Sequence, residues 1–148
     1  MPFINDSFFS SKLEVRKKDT QKGVFAKSSI RKGEILSIAS GRILPRKTVA
    51  KLPKNLQKLC YYVENDFYLC PMSSKKISPD LYMNHSCDPN AGGEENALTT
   101  VAARNIKKGE EVRNDYEKDF DRGFKGHSSL EHFRCDCGSK KCRGIIRF

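Results

Sequence analysis

Three cysteines lie within eight residues of one another in the segment CDCGSKKC at 135–142. Cys135, Cys137 and Cys142 have the spacing of ligands on tight turns, and Gly138 gives the backbone room to fold around an ion. Zinc in structural sites takes four ligands, and sulfur ligands favour zinc over magnesium or calcium. The segment therefore predicts a metal site that takes its fourth ligand from elsewhere in the chain.

The candidates for that fourth ligand are the other cysteines and two histidines: Cys60, Cys70, Cys87, His85 and His132. Cys87 is the best placed, because it lies in the polar, Pro-containing loop YMNHSCDPN at 82–90 rather than in an apolar run. Cys60 and Cys70 lie in apolar stretches, so we expect them to be unreactive core thiols.

At 148 residues, 31% of them charged, the chain is long enough for one well-buried core. No apolar run reaches the length of a membrane span, and the start MPFINDSFFSSKLEVRKK lacks the order of a secretory signal. We therefore expect an intracellular protein without membrane contact. In that reducing compartment, six cysteines indicate metal binding or catalysis rather than a disulfide framework.

The formal net charge of +10 is unevenly distributed. Residues 12–33 carry eight Lys or Arg against two acids, and residues 42–58 carry six against none, which favours either nucleic-acid contact or a solvated surface. Residues 110–121 reverse the balance, with six acids against two bases, and a local negative field attracts a cationic substrate. We expect the cations beside the cysteine segment to compensate a zinc ion held by four thiolates: Arg134, Lys140, Lys141 and Arg143.

Two segments of the chain resemble each other: VFAKSSIRKGEIL at 24–36 and VAARNIKKGEEV at 101–112. In each, a β-type run is followed by Ile, two basic residues, Gly and Glu. Gly33 and Gly109 can adopt the positive φ of a tight turn, so each segment predicts a strand–turn–strand unit. The pattern is typical of a mainly β fold built from two similar hairpins.

Helices are predicted to be short. The stretch RKTVAKLPKNLQKLCYYV has partial helical periodicity, but Pro53 interrupts it. Ser128 and Glu131 have the spacing of a capping box, which predicts one helical turn before the cysteine segment.

Four motifs together resemble the SET-domain family of protein-lysine methyltransferases. NHSCDPN at 84–90 matches its Asn-His-Ser-Cys motif, and GEEVRNDYE at 109–117 resembles its Glu-Leu-x-Phe-Asp-Tyr motif. CDCGSKKCRG at 135–144 resembles its zinc-binding post-SET tail, and QKGVFAKSSIRKGE at 21–34 its cofactor segment. The resemblance implies a β-clip fold of small curled sheets with a C-terminal pseudoknot, comprising a SET domain at 1–120 and a post-SET tail at 121–148.

The resemblance also implies the activity and the cofactor. The family transfers a methyl group from S-adenosylmethionine to a lysine side chain of a protein, here one that is basic or associated with chromatin. The implied cofactor contacts are the backbone of three residues and two side chains: Lys22, Gly23, Val24, Asn84 and His85. Tyr116 and Tyr82 would be the catalytic residues: Tyr116 as the channel tyrosine beside the reacting nitrogen, and Tyr82 as a residue lining the same region. Tyr116 would also contact the cofactor. Cys87 would be the fourth ligand of one structural zinc ion.

Three positions depart from the family pattern. Gln21 replaces the first Gly of the Gly-x-Gly sequence, and Leu81 replaces an Arg. Asn114 replaces the Phe or Tyr that tunes how many methyl groups are added. The alternative function is a catalytically silent SET-like module that binds a lysine-bearing tail or a nucleic acid.

Overall fold

The computed structural model describes residues 8–57, 59–73, 75, 77–93, 98–120 and 132–147. As predicted, the fold is mainly β. The strands are short and belong to several small sheets: β1 (Phe8–Phe9), β2 (Leu13–Lys18), β3 (Gln21–Ala26), β4 (Ile35–Ile38), β5 (Arg42–Pro45), β6 (Tyr61–Glu64), β7 (Phe67–Cys70), β8 (Asn84–His85), β9 (Ala91–Gly92), β10 (Thr99–Ala102), β11 (Glu111–Asn114), β12 (His132–Arg134) and β13 (Ile145–Arg147).

The helices have four or five residues each: α1 (Arg46–Val49), α2 (Lys54–Gln57), a 3-10 helix (Pro79–Tyr82) and α3 (Tyr116–Phe120). Pro53 separates α1 from α2, as expected of a residue that cannot continue a helix. The turn predicted at Ser128 and Glu131 lies outside the described residues. The predicted domain boundary at 120/121 falls beside the same gap and stays a prediction. In the described part of the chain, no helix is long and apolar enough to span a membrane.

Two four-stranded sheets form the centre of the molecule, one in the order β1, β4, β10, β9 and the other in the order β2, β3, β11, β8. A three-stranded sheet in the order β5, β7, β6 and the pair β12, β13 lie outside them. Every pairing is antiparallel except that of β8 with β11. That parallel pairing places Asn84 beside Arg113 and His85 beside Asn114, so it joins two of the sequence motifs.

The two similar segments pair with each other instead of each closing a hairpin. Strand β3 of the first segment pairs with β11 after the second turn, and β4 after the first turn pairs with β10. Ile30 and Ile106 form a bridge between them, with N–H to O distances of 2.9 Å in both directions. Gly33 and Gly109 have φ of 87° and 84°, as predicted. The turns are thus confirmed, but the expected separate hairpins are wrong, because turn residues do not determine which strands pair.

The main core lies between the two central sheets. Its fully buried side chains include Val24, Leu36 and Val112, with Ile30 and Ile106 under the bridge. Each segment contributes to the same cluster, because the side chains on one face of its strands point into the space between the sheets. The exchange of strands therefore makes one core from two segments.

A second cluster lies against the three-stranded sheet and contains Val49, Tyr68, Cys60 and Cys70. The two cysteines are buried, as predicted, but they are not separate thiols. They form a disulfide with a Cα–Cα distance of 4.3 Å. The prediction failed because ten residues separate them in sequence, and only the register of β6 against β7 brings them together.

Candidate active site and metal centre

A polar cavity of about 290 Å³ lies where β3, β8 and β11 meet the cysteine segment. Gly23 from β3, Asn84 and His85 from β8, and Glu111 and Arg113 from β11 line it. The other side of the cavity is formed by the turn at 18–21 and by Asp136 and Cys137. The sheet order thus brings three of the predicted cofactor residues, Gly23, Asn84 and His85, to one cavity.

Asn84 is held at the cavity by two hydrogen bonds from its side-chain amide. Nδ2 donates to the carbonyl of Lys22 at 3.1 Å and to Oε1 of Glu111 at 2.9 Å. A Cβ at Gly23 would lie 2.8 Å from Oε1 of Glu111 and 3.2 Å from Nδ2 of Asn84. A larger residue at position 23 would therefore crowd both side chains, and the Glu111 carboxylate, which ends a flexible side chain, would have to shift.

The other predicted site residues around β3 lie at different depths. The side chain of Val24 is fully buried in the core, while Lys22 is exposed, and its ammonium lies 5.1 Å from the ring centroid of Tyr82. Tyr82 ends the 3-10 helix and packs against the main core. Neither Lys22 nor Val24 lines the cavity with its side chain, so the backbone contacts expected of them stay predictions.

Tyr116 is fixed in position at both its backbone and its hydroxyl. It is the first residue of α3, and the preceding Asp115 caps that helix by accepting a hydrogen bond from the Glu117 N–H at 3.1 Å. The Tyr116 N–H donates to Nδ1 of His85 at 3.1 Å, and the phenol donates to the carbonyl of Met83 at 2.6 Å. Its ring therefore has little freedom to move relative to β8.

The bond from Tyr116 decides the tautomer of His85. Because Nδ1 accepts a hydrogen bond, the proton of a neutral imidazole lies on Nε2, which is 3.3 Å from the sulfur of Cys87. Burial lowers the pKa of His85, which keeps the ring neutral at physiological pH. The imidazole therefore connects the candidate metal ligand Cys87 to the backbone of Tyr116, while the predicted cofactor contact of its side chain stays a prediction.

The sulfur atoms of Cys87, Cys135, Cys137 and Cys142 all lie within 4.8 Å of one another. The sulfurs of Cys87 and Cys135 are 3.8 Å apart, which matches the edge of a tetrahedron with metal–sulfur bonds of about 2.3 Å. Cys135 is buried, and the other three are half-buried. The arrangement has the ligand number, ligand type and spacing that suit one tetrahedral metal ion.

The acid–base properties of the cluster also favour a cation. Burial raises the pKa of the Cys135 thiol to about 12. Burial acts in the same direction on Cys137, but hydrogen bonds from backbone N–H groups, including that of Ser139, outweigh it and lower the pKa of Cys137 to about 6. A group of thiols that holds one thiolate at neutral pH and buries another sulfur is stabilised by a divalent cation, which removes the remaining protons.

Arg143 joins the cysteine segment to the residues around Tyr116. Its backbone N–H donates to the sulfur of Cys87 at 3.4 Å. Its guanidinium donates to Oδ1 of Asp115 at 2.6 Å and lies 3.0 Å from Oε2 of Glu117. Asp115 raises the pKa of Arg143 through this hydrogen bond, so the guanidinium stays charged.

These ion pairs change two expectations from the charge pattern. Arg143 and Lys141 were expected to compensate the metal, but their side chains pair with carboxylates, Lys141 with Asp88 at 2.9 Å. In the acidic stretch 110–121, Asp115 and Glu117 are bound by Arg143, and Glu110 is bound by Arg104 at 2.6 Å. At least three of the six acids are therefore paired with arginines within the fold, which weakens their attraction for a distant cation.

The comparison with protein families decides what kind of domain carries this site. The sequence model of the SET domain matches residues 21–117, which include β3, β8, β11 and Tyr116. The chain belongs to the SET-domain family. The cysteine segment lies beyond the matched residues, so its assignment as a post-SET tail rests on the resemblance and on the thiol geometry.

Two plant proteins named as histone-lysine N-methyltransferases are similar to this chain over most of its length. Histone-lysine N-methyltransferase ASHH3 of Arabidopsis thaliana is 29% identical over 134 residues, which cover 82% of this chain and 34% of that protein. Putative histone-lysine N-methyltransferase ASHH4 of the same plant is 31% identical over 134 residues, covering 82% and 35%. The chain thus spans about a third of the length of these two relatives.

A third relative is similar over a shorter region. The H3 lysine-9 specific histone-lysine N-methyltransferase KMT1 of Fusarium mangiferae is 36% identical over 80 residues, which cover 46% of this chain and 23% of that protein.

Sequence reasoning missed several residues of this SET domain's site. Glu111 and Arg113 lie two apart on β11 and line the same cavity, and Arg113 also donates to the carbonyl of Cys137 at 3.1 Å. Their period-2 spacing just before Tyr116 was the available signal. Phe133 packs edge-on against His85, with ring centroids 5.5 Å apart, and against Tyr116 at 6.1 Å. No local sequence pattern predicts Phe133 as a site residue, because its position depends on the pairing of β12 with β13.

Proposed function

We propose that the chain is an S-adenosylmethionine-dependent protein-lysine N-methyltransferase. The observation that carries the proposal is that Asn84 and His85 line one polar cavity within a SET domain and that Tyr116 is hydrogen-bonded to His85. The relatives named as histone-lysine N-methyltransferases support a lysine substrate in a basic, chromatin-associated protein, and therefore an intracellular location.

The lining of the cavity fits the proposed cofactor. When bound, S-adenosylmethionine supplies an activated methyl group on a positively charged sulfur. Glu111 offers a carboxylate to a cation, Asn84 offers an amide held in a fixed orientation, and Gly23 leaves the backbone uncovered. Asp136 and Cys137 close the cavity from the tail, so we propose that the tail contributes to cofactor binding.

The protein must present the substrate lysine in its neutral form. A lysine of pKa about 10.4 costs about 4 kcal/mol to deprotonate near neutral pH. The rings of Tyr116 and Phe133, together with Tyr82 before Met83, supply apolar surface that strips water from the amine, and this lowers its pKa. The Tyr116 hydroxyl, held at the Met83 carbonyl, then orients the amine for an in-line displacement.

We propose one structural zinc ion bound by Cys87, Cys135, Cys137 and Cys142. The mutual distances of the four sulfurs support this assignment. The ion would fasten residues 135–142 to the loop that follows β8, and so hold one wall of the cavity in place. It would take no part in the displacement itself.

Nucleic-acid contact is a second proposed interaction, supported by the two basic stretches. Within the described part of stretches 12–33 and 42–58, only Lys12 and Arg46 form ion pairs with acids. The other described cations lie on the β2–β3 hairpin, in the turn between β3 and β4, on β5 and around α1 and α2, where phosphates could reach them. This contact would place chromatin DNA beside a histone substrate.

The test of the function is Tyr116→Phe, assayed with methyl-labelled cofactor on histones and basic peptides. The change keeps the ring packing against His85 and Phe133 and deletes the hydroxyl that orients the amine. We expect kcat to fall by about 10²–10³, as for the loss of one preorganised hydrogen bond in a transition state. Cofactor affinity should not change, and stability should fall by only about 1 kcal/mol.

Tyr62→Phe is the matched control, because Tyr62 packs against Tyr68 in the outer sheet, away from the cavity. It should leave turnover unchanged. If the wild-type chain neither binds the cofactor nor methylates any basic protein, the chain is a silent SET-like module. Normal turnover of Tyr116→Phe would mean that Tyr116 only forms part of the channel wall.

A further inference from the structure

Two hydrogen-bonded routes run from Cys87 to the segment that carries Tyr116. In the first, His85 accepts from the Tyr116 N–H through Nδ1 and faces the Cys87 sulfur through Nε2. In the second, Arg143 donates its backbone N–H to the same sulfur and its guanidinium to Asp115. Both routes begin at one candidate metal ligand and end at adjacent residues, 115 and 116.

Of the two residues at which these routes end, Asp115 depends more strongly on its partners, because it is a buried carboxylate. Its side chain is 3% exposed, and it receives the guanidinium of Arg143 and the N–H of Glu117 on the same oxygen, Oδ1. A buried carboxylate is retained only where it is paired and hydrogen-bonded. Because Asp115 also caps α3, its carboxylate stabilises the start of that helix, which begins at Tyr116.

We propose that Arg143 is a positioning residue, which makes the placement of the Tyr116 hydroxyl depend on the cysteine cluster. This inference rests on the proposed function. When the four cysteines hold the metal ion, Cys87 fixes the backbone of Arg143. The guanidinium of Arg143 then holds the Asp115 carboxylate, which caps α3, in one orientation. When the metal is lost, neither His85 nor Arg143 is held at Cys87, so the orientation of Tyr116 is less restricted.

A purely structural role for Arg143 makes a different prediction, and one double substitution separates the two. Arg143→Met alone strands a buried carboxylate, which is expected to destabilise any fold. In Arg143→Met with Asp115→Asn, the fully buried charge at position 115 is removed together with its partner, and Asn still caps a helix well. Glu117 also loses Arg143, but its side chain is 33% exposed and can be solvated. If Arg143 serves stability alone, the double variant recovers both folding and turnover. If Arg143 positions Tyr116, folding recovers and turnover does not.

The first measurement is steady-state methyl transfer by metal-loaded protein. We expect kcat of the double variant to lie about ten- to hundredfold below wild type, since a displacement of about 1 Å at a reacting group can cost 10²-fold. KM for the cofactor, metal content and thermal melting should stay close to the wild-type values. Lys141→Met is the matched control, because Lys141 pairs with the exposed Asp88 and should change none of these quantities.

The second measurement does not depend on activity. Protein labelled with 3-fluorotyrosine gives a ¹⁹F spectrum in which the resonance missing from Tyr116→Phe identifies Tyr116. That resonance should move in the double variant and also in wild-type protein stripped of metal by a chelator. The resonances of Tyr62 and Tyr68, in the outer sheet, should stay in place in both samples.

Two results would overturn the proposal. One is a double variant with wild-type kcat, and the other is a Tyr116 resonance that is unchanged by the double substitution. Both differ from a failure of the proposed function, which would appear as wild-type protein without cofactor binding or methyl transfer. In that case the ¹⁹F spectra still test whether Arg143 positions Tyr116.

Discussion

The two similar segments, 24–36 and 101–112, share one backbone scheme and differ in the side chains that follow the Gly-Glu pair. In the first, Ile35 follows Glu34, pairs with Val101 and is 47% exposed. In the second, Glu111 follows Glu110, pairs with Phe25 and lines the polar cavity. The same position in the repeat therefore carries an apolar surface residue in one segment and a site residue in the other.

The difference continues along the two strands. Ser37 on β4 is fully buried, whereas Arg113 on β11 lines the cavity and binds the Cys137 carbonyl. The cause lies in the neighbours. Strand β4 lies between β1 and β10, while β11 lies beside β8 and the cysteine segment. Two segments with the same backbone scheme can thus differ in function. Only the segment whose strand lies beside β8 and the cysteine segment contributes polar side chains to the cavity.

Metal removal should destabilise the second segment more than the first, and this should be the largest difference between the two segments. Structural zinc contributes on the order of 10 kcal/mol to folding in small metal peptides. Strand β11 reaches the cysteine segment through Arg113, and the following Asp115 reaches it through Arg143. In the described part of the chain, no residue of β4 forms a hydrogen bond with that segment. Hydrogen exchange after chelation should therefore accelerate at 111–116 more than at 35–38.

Cys137→Ser provides an independent route to the same state, and metal analysis should find less than one ion per chain in it. Hydrogen exchange that accelerates equally in β4 and β11 would contradict this prediction. It would mean that the metal stabilises both of the similar segments to the same extent. Full metal content in Cys137→Ser would instead remove Cys137 from the ligand set.

The parts of the fold that could be predicted from sequence are those set by local chemistry. The turns at Gly33 and Gly109 were predictable because their positive φ favours glycine. The cysteine cluster was predictable because three ligands lie close in sequence. The polar loop around Cys87 favoured it among the candidates for the fourth ligand, and the family resemblance implied the same choice. The exchange of strands between the segments was not predictable, because the same turns would also suit two separate hairpins.

Side-chain partners were the least predictable part of the site. The charge count at 110–121 was correct, but it could not show that Asp115 is buried against Arg143 rather than facing a substrate. The disulfide between Cys60 and Cys70 depends on the register of β6 and β7, which the apolar pattern does not specify. Partners of this kind are set by the packed fold, and sequence distance carries no information about them.

Exchanging the differing residues should sharpen the comparison, with an intermediate effect. Glu111→Ile gives the second segment the residue of the first and deprives Asn84 of one of its two hydrogen-bond acceptors. A hydrogen bond to a charged group contributes about 1.5–3 kcal/mol, so we expect affinity for S-adenosylmethionine to fall about ten- to hundredfold by calorimetry. The reciprocal Ile35→Glu should leave that affinity unchanged, because Ile35 lies on the exposed face of β4.

Unchanged affinity in Glu111→Ile would show that the carboxylate is only a surface charge beside the cavity. Weaker binding in both variants would point to a general loss of folding, and thermal melts of the two proteins at equal concentration would reveal it. If the difference between the segments is functional, cofactor affinity should fall only in the variant whose altered residue lines the cavity, Glu111→Ile.

The two turn glycines should give the smallest effect and the same effect in both segments. Gly33 and Gly109 have φ of 87° and 84°, and a Cβ at either would meet nothing within 4 Å. Gly33→Ala and Gly109→Ala therefore differ from wild type only in backbone strain, which is about 1–2 kcal/mol for a left-handed residue. Equilibrium unfolding in denaturant should show the same loss in each variant, and cofactor affinity should stay at the wild-type value in both. A loss in Gly109→Ala that exceeded that in Gly33→Ala by more than about 1 kcal/mol would mean that the site strains its own turn. The two segments would then differ in the backbone strain of their turns as well as in their side chains.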